Sequence, residues 1–126
     1  FGRLASTYKS IALLAITQGV SLICGYARRF GPGFDYELGV TDIIHPHEWA
    51  DQPDPLYYVS ARYNRAMETM IREAPHQYLW MHRRWKSRPR HERLGRDVPD
   101  SLRERVHQLP WMTPEQADAA LALPRD

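Results

Sequence analysis

The sequence has little cysteine and no long uninterrupted hydrophobic run. The single cysteine, Cys24, excludes a disulfide within the chain, and its apolar neighbours favour a small buried side chain in a reducing compartment. The longest mostly apolar stretch, residues 11–26, is interrupted by polar residues and is shorter than the roughly 20 residues of a membrane-spanning helix. We therefore expect no transmembrane helix in this chain.

A targeting segment is also missing, since no basic start is followed by an apolar core and a small-residue cleavage site. The chain has 126 residues, 43% of them hydrophobic and 25% charged, which fits one globular domain rather than a disordered chain. It begins at Phe1 without a methionine. The sequence therefore predicts a piece of a longer protein.

Positive charge is concentrated in one part of the sequence. Residues 76–96 contain seven Arg or Lys and one Glu, a net charge of +6, so the rest of the chain sums to −4. Such a local excess is typical of a surface that binds phosphate, an anionic headgroup or nucleic acid.

The first half of the sequence predicts a helix followed by a hairpin. Apolar residues at helical spacing indicate a helix over residues 7–18, with Ser6 or Thr7 as its cap. The apolar run 20–27 is typical of a strand covered on both faces, inside a mostly parallel sheet. Alternating residues from 34 to 44 predict a second strand, antiparallel to the first.

The second half predicts mainly helices. Residues 45–55 are interpreted as a loop, and Asp54 caps a helix whose apolar stripe faces away from Arg62, Arg65, Thr69 and Arg72. Pro75 ends this helix and begins a shorter one that runs to about Trp85. Two further short helices are expected, over residues 100–109 and 114–123, the second with Thr113 as its cap.

The segment 74–90 carries the most specific signal. Four aromatic or sulfur-containing side chains and five Arg or Lys stand in the order Pro, Gln-Tyr-Leu-Trp, His-Arg-Arg-Trp-Lys, Arg-Pro. This order resembles the C-terminal signature of the lysophospholipid/lipid A biosynthesis (lauroyl-type) acyltransferase family. Phe1-Gly2-Arg3 resembles the end of that family's phenylalanine-glycine block, although Leu4 replaces a proline often found there.

The resemblance implies both a fold and a function. Residues 1–89 would be the C-terminal part of a glycerolphosphate-acyltransferase-like α/β domain with a mixed, mostly parallel sheet, and residues 90–126 a polar helical tail. The implied reaction moves a fatty acyl group from acyl carrier protein or acyl-CoA to a hydroxyl of a lipid A precursor or lysophospholipid. It would take place at the membrane surface, on the cytoplasmic face of the inner membrane, without a cofactor.

The family's catalytic element, a histidine followed five positions later by Asp or Glu, is missing from this chain. In such a pair the histidine takes the proton of the acceptor hydroxyl and the carboxylate orients the imidazole. Five positions after the six histidines stand Ala50, Gln52, Met81, Ser87, Arg96 and Met112. We therefore predict no catalytic residue in this chain, which alone is expected to be inactive.

Binding is the role that remains. The predicted substrate-binding residues are Gly2, Arg3, Arg83, Arg84, Lys86 and Arg88. Guanidinium groups match phosphate oxygens, lysine supplies a point charge, and Trp80 and Trp85 suit the headgroup level of a membrane. In the alternative interpretation Tyr78 and Trp85 belong to a core and the arginines form a solvated face.

Two other interpretations compete with this one. His45, His47, Glu48 and Asp51 have side chains suited to zinc, but their spacing matches no tight ligand pattern, so a surface loop without metal is preferred. The basic segment with its tryptophans also suits a small nucleic-acid-binding module, although no recognised motif of that class occurs. The partners that we expect are the acyl donor, the lipid acceptor and the membrane surface, and no nucleic acid.

Overall fold

The computed structural model describes residues 1–122, so the last residue of the helix predicted over 114–123 lies outside the described residues. The chain divides into two compact units. One consists of Tyr8–Trp80, and the other joins Phe1–Thr7 to the chain from Met81 onward. The predicted domain boundary at residue 89 stays a prediction.

The unit Tyr8–Trp80 contains three α-helices and one hairpin. Helix α1 spans Ser10–Gln18, strand β1 spans Leu22–Phe30 and strand β2 spans Asp35–Ile44. They are followed by the short helix α2 (Pro46–Ala50), the long helix α3 (Pro55–Glu73) and a single 3₁₀ turn at Pro75–Gln77. Helix α2 replaces part of the predicted loop, because Pro46 suits a first helical turn and Glu48 accepts the His45 backbone N–H at 2.8 Å.

The two strands pair antiparallel, which confirms the predicted hairpin. Leu22 lies opposite Ile44 and Phe30 opposite Asp35, with a register shift between Cys24 and Gly25. The described residues thus combine helices with one two-stranded sheet, which is compatible with an α/β fold. The parallel part of the predicted sheet stays a prediction.

Only one face of β1 is covered within the described residues, whereas the sequence predicted cover on both. Cys24 is buried, but its neighbour Ile23 is 62% exposed. Successive strand residues point to opposite sides of a sheet, so the odd-numbered residues of β1 share the uncovered side. An uninterrupted apolar run does not by itself say what covers each face.

The core of this unit forms around α3. Its buried residues are Tyr58, Val59, Tyr63 and Ala66, which confirms the predicted apolar stripe. Ala12 and Ala15 are the buried residues of α1, which contacts α3. The start of α1 was predicted three residues too early: its cap position is Lys9, and Thr7 donates instead to the Ala5 carbonyl at 3.2 Å. Gly19 ends α1 in the left-handed conformation, which favours glycine.

The other unit contains three short helices, α4 (Arg90–Arg93), α5 (Asp100–His107) and α6 (Pro114–Leu121). Its buried apolar residues are Val106, Leu109, Ala117 and Leu121. The Gln116 backbone N–H donates to the Thr113 hydroxyl at 3.3 Å, and the Thr113 backbone N–H donates to the Gln116 side-chain oxygen at 3.0 Å. This capping box confirms Thr113 as the predicted cap. None of the helices among residues 1–122 is long and apolar enough to span a membrane.

We predict that Ile44→Ala lowers the free energy of unfolding of the unit Tyr8–Trp80 by about 2 to 5 kcal/mol, because Ile44 is fully buried and its truncation leaves a cavity. Ile23→Ala removes the same atoms from an exposed position of the same hairpin and should cost less than about 0.5 kcal/mol. Urea denaturation of both variants measures the difference. Equal losses would contradict the burial described for the hairpin.

Candidate functional site

The basic aromatic segment is not a helix, which corrects the prediction of a helix from Pro75 to about Trp85. After the 3₁₀ turn the backbone becomes extended at Tyr78, with φ −84° and ψ 137°. Side-chain contacts hold this turn: the Trp80 indole N–H donates to the Pro75 carbonyl at 2.6 Å, and the Tyr78 and Trp80 rings meet edge to face at 5.0 Å. Helical spacing therefore does not describe which side chains share a face here.

Gln77 makes a contact with β1 that no pattern in the sequence predicts. Its side-chain nitrogen donates to the Arg29 carbonyl at 2.9 Å, and its side-chain oxygen accepts the Arg29 backbone N–H at 2.9 Å. A single amide thus satisfies both backbone groups of a residue in β1, as a neighbouring strand would. The glutamine that opens Gln-Tyr-Leu-Trp ties the 3₁₀ turn to the sheet.

Two of the predicted binding residues hold the first residues of the chain, within the unit of residues 1–7 and 81 onward. Arg84 donates to the Ser6 carbonyl and to the Thr7 hydroxyl, the latter at 3.1 Å. Arg88 donates to the Leu4 carbonyl at 2.7 Å. Both guanidinium groups therefore bind backbone oxygens of the segment that follows Phe1-Gly2-Arg3.

Arg88 also forms a two-point ion pair with Glu92. Its Nε and Nη2 each donate to one carboxylate oxygen at 2.7 Å. The Arg88 and Glu92 side chains are only 17% and 9% exposed. A buried two-point pair is stable only while both partners are present, because the loss of either leaves an uncompensated charge.

Phe1 and Trp85 are brought together in the same unit. Their rings meet edge to face at 5.9 Å, and Trp85 is partly buried with an indole N–H that has no hydrogen-bond partner among the described residues. Gly2 has φ 61°, a conformation that side chains other than glycine rarely adopt, and both Gly2 and Arg3 are exposed. The first residues of the chain and residues 84–88 therefore form one surface within this unit.

The remaining predicted binding residues are exposed cations. Arg3, Arg83 and Lys86 form no side-chain hydrogen bond or ion pair within residues 1–122. Arg84 and Arg88 have structural partners in addition to any role with a ligand. Substrate binding stays a prediction for all six residues, and Arg3, Arg83 and Lys86 have charges that are exposed to solvent.

A second arginine cluster was missed by the sequence. Arg62, predicted on the solvent side of α3, is only 17% exposed at its side chain. Its Nε and Nη2 donate to the two Asp42 oxygens at 2.8 and 2.9 Å, and its Nη1 donates to Glu48 at 2.6 Å and to the Tyr58 hydroxyl at 3.0 Å. The cluster connects β2, α2 and α3. The apolar stripe gave no signal for it, because Arg62 lies on the border of that stripe.

Arg62 changes the protonation of its partners. Its hydrogen bonds lower the pKa of Asp42 below the ordinary value of 3.8. The pKa of Glu48 is also lowered, mainly by the His45 backbone N–H and then by Arg62. Asp42 raises the pKa of Arg62. All three groups are therefore charged at neutral pH.

His45, His47 and His107 have polar or aromatic side chains as neighbours. Ser21 Oγ lies 3.0 Å from His45 Nδ1, and the His45 and His47 rings stack at 5.5 Å. His107 contacts Asp118 at 3.0 Å, a pair eleven positions apart in the tail. Within residues 1–122, no group of three or more His, Cys, Asp or Glu side chains is arranged to hold a metal ion.

The residues that form this surface lie in a part of the chain that matches a known protein family. The family described as bacterial lipid A biosynthesis acyltransferase matches residues 1–87, which include the phenylalanine-glycine block and the basic segment as far as Ser87. The chain belongs to this family, which confirms the resemblance inferred from its two motifs. The residues after 87 lie outside the match.

A particular relative agrees with the family. The lipid A biosynthesis lauroyltransferase of Escherichia coli (strain K12) is 35% identical over 85 residues. The aligned region is 68% of this chain and 26% of that protein, so the chain spans about a quarter of the relative's length. A comparison with solved structures gave no match.

We predict that Arg88→Ala lowers the free energy of unfolding by about 3 kcal/mol, because Glu92 would keep a buried charge without its partner and the Leu4 carbonyl would lose its donor. Arg90→Ala removes an exposed cation two residues away and should cost less than about 0.5 kcal/mol. Urea denaturation followed by tryptophan fluorescence compares them. Similar small effects for both variants would rule out a structural role for Arg88.

We further expect acid to weaken the unit Tyr8–Trp80 through Asp42. A carboxyl whose pKa is lowered by folding stabilises the fold above its unfolded pKa, and this contribution is lost as pH falls through the folded pKa. Below about pH 4, the free energy of unfolding of the wild type should therefore fall by up to about 1.4 kcal/mol per pH unit through this group, and Asp42→Asn should abolish that part of the fall. Asp51→Asn, at an exposed carboxylate of the same unit, should keep the wild-type dependence. Denaturation from pH 5 to pH 2 distinguishes the two.

Proposed function

We propose that this chain is the phosphate-binding part of an acyltransferase that moves a fatty acyl group from acyl carrier protein or acyl-CoA to a hydroxyl of a lipid A precursor or lysophospholipid. The observation that carries the proposal is the family match over residues 1–87, which contain both motifs of the surface. The named activity of the E. coli relative, lauroyl transfer in lipid A biosynthesis, supports the choice of a lipid acceptor. The fold of residues 1–89 would be the end of an α/β domain whose sheet is completed by parallel strands.

The chemistry in this proposal is an exchange of a thioester for an ester. The acceptor oxygen bonds to the acyl carbonyl carbon, the carbon–sulfur bond breaks, and the hydroxyl proton leaves through a base to the departing thiolate. A histidine with a carboxylate five positions later would supply that base, and no histidine of this chain has such a partner. The catalytic pair therefore belongs to another part of the enzyme, and this chain alone is inactive.

Binding is the contribution of the residues described here. Arg83 and Lys86 carry charges exposed to solvent, beside Arg84, which donates to the Ser6 carbonyl. Arg84 and Arg88 thus position the segment after Gly2 and Arg3, while Arg83 and Lys86 meet phosphates of the acyl donor or of the lipid headgroup. A surface with this charge suits the cytoplasmic face of the inner membrane, whose anionic lipids attract cations.

The nucleic-acid alternative receives no support from the family match. The same exposed cations would supply phosphate contacts to DNA or RNA, but Trp85 in the same unit is partly buried and meets Phe1 edge to face, so it does not offer an open stacking surface.

We predict that Arg83→Ala combined with Lys86→Ala, in the full-length acyltransferase, raises the KM for the donor or the acceptor up to about 30-fold, since each solvent-exposed ion pair contributes up to about 1 kcal/mol. The unfolding free energy should change little, because both side chains are exposed. The measurement is acyl transfer from a dodecanoyl thioester to a lipid A precursor.

A matched control removes the same charge from outside the family match. Arg93→Ala combined with Arg96→Ala deletes two exposed cations of the tail and should leave both Michaelis constants within twofold. Equal effects of the two double variants would mean that net charge, and not this surface, governs binding. Unchanged constants in the Arg83 and Lys86 variant would overturn the binding role.

A further inference from the structure

Four large apolar side chains are exposed in two neighbouring turns of the unit Tyr8–Trp80. Phe30 ends β1 and Phe34 immediately precedes β2, and they are 52% and 95% exposed. Leu79 and Trp80 follow the 3₁₀ turn and are 67% and 52% exposed. We call these four residues the apolar tip.

Gln77 brings the two turns side by side. Its amide binds both backbone groups of Arg29, each at 2.9 Å, so the chain that follows Gln77 lies beside the end of β1. Leu79 stands two positions after Gln77, and Phe30 one position after Arg29. The tip therefore combines side chains from two distant parts of the sequence in one place.

The tip projects from the unit and does not line a pocket. A side chain that is 95% exposed, such as Phe34, has almost no neighbours. Single exposed apolar residues are ordinary, but several in one place mark an interaction surface. The charged residues that adjoin the two phenylalanines, Arg29 and Asp35, are exposed and opposite in sign. The tip therefore attracts a partner through apolar burial more than through charge.

The composition of the tip favours the interface of a lipid bilayer over water or a charged partner. Phe, Leu and Trp are the apolar side chains that lie at the boundary between headgroups and acyl chains. The Trp80 indole N–H already donates to the Pro75 carbonyl at 2.6 Å, so this donor keeps its acceptor when the ring leaves water. The turn between the two phenylalanines, residues 31–33, is Gly-Pro-Gly and has no charged side chain to desolvate.

We infer that the apolar tip enters the headgroup region of a phospholipid bilayer and orients the unit Tyr8–Trp80 on the membrane. The inference rests on the proposed function, since a lipid acceptor places the enzyme at a membrane. It goes beyond that proposal, because its four residues lie outside the segment 83–88 and act through apolar burial.

The test is flotation of the 126-residue chain with vesicles of phosphatidylcholine, which have no net charge and so give exposed cations little attraction. We expect binding that changes less than about twofold with added salt. Phe34→Ser combined with Leu79→Ser should lower the partition coefficient at least about tenfold, because two apolar side chains lose their burial in lipid. Both positions are exposed, so the melting temperature should stay unchanged.

A matched double variant controls for location. Ile23→Ser combined with Val40→Ser removes two side chains that are 62% and 58% exposed on the uncovered face of the same hairpin. Ile23 lies seven residues from Phe30, roughly 23 Å along an extended strand. This variant should bind within about twofold of the wild type. Absence of vesicle binding, or equal losses in the two double variants, would overturn the inference.

A second measurement shows whether lipid or protein covers the tip in the full-length acyltransferase. A fluorophore is attached at Phe34→Cys or at Ile23→Cys, in a background without other cysteines, and the enzyme is reconstituted in vesicles. We expect brominated lipids to quench the label at position 34 at least about twofold more than the label at position 23. Equal quenching, or none at either position, would mean that another part of the protein covers the tip, and would overturn the inference.

The two proposals fail separately, because vesicle binding and quenching need no acyl transfer. Binding through the tip, with unchanged Michaelis constants in the Arg83 and Lys86 variant, would contradict the proposed function alone. Raised Michaelis constants in that variant, with no contribution of Phe34 and Leu79 to vesicle binding, would contradict the role of the tip alone.

Discussion

The unit Tyr8–Trp80 depends on the guanidinium of Arg62. It faces both oxygens of Asp42 on β2, one oxygen of Glu48 on α2, the Tyr58 hydroxyl one turn back on α3, and the Ile43 carbonyl at 3.3 Å. These contacts use the planar set of donors that lysine lacks. Charges so little exposed are stable only as a complete set, so the cluster fixes how the hairpin, the short helix and the long helix meet.

Arginine has a similar structural role in the other unit. Arg84 and Arg88 reach backbone carbonyls of residues more than 70 positions earlier, and Arg88 also pairs with Glu92. A run of basic residues thus contains two kinds of side chain. Those with backbone and carboxylate partners position the first residues of the chain, and the exposed Arg83 and Lys86 keep their charge for a ligand.

Gln77 and the exposed cations of the basic segment serve different contacts. The Gln77 amide binds both backbone groups of Arg29 and so ties the 3₁₀ turn to β1. Arg83 and Lys86, which belong to the other unit, have exposed charges. Residues of one short signature therefore have a structural role in one unit and an exposed charge in the other.

The features that depend on near neighbours in the chain could be predicted from the sequence. Alternating residues identified the antiparallel hairpin, the helical stripe identified α3, Thr113 and Asp54 were correct caps, and the two motifs identified the family. Three other features depend on contacts between distant residues and were not predictable from the sequence. The segment after Pro75 is not a helix, Arg62 is enclosed by carboxylates, and Arg84 and Arg88 bind backbone carbonyls. The physical reason is that helical and strand periodicities describe which side of an element a residue is on. The partners of a long, charged side chain are set by distant groups, which the local pattern does not contain.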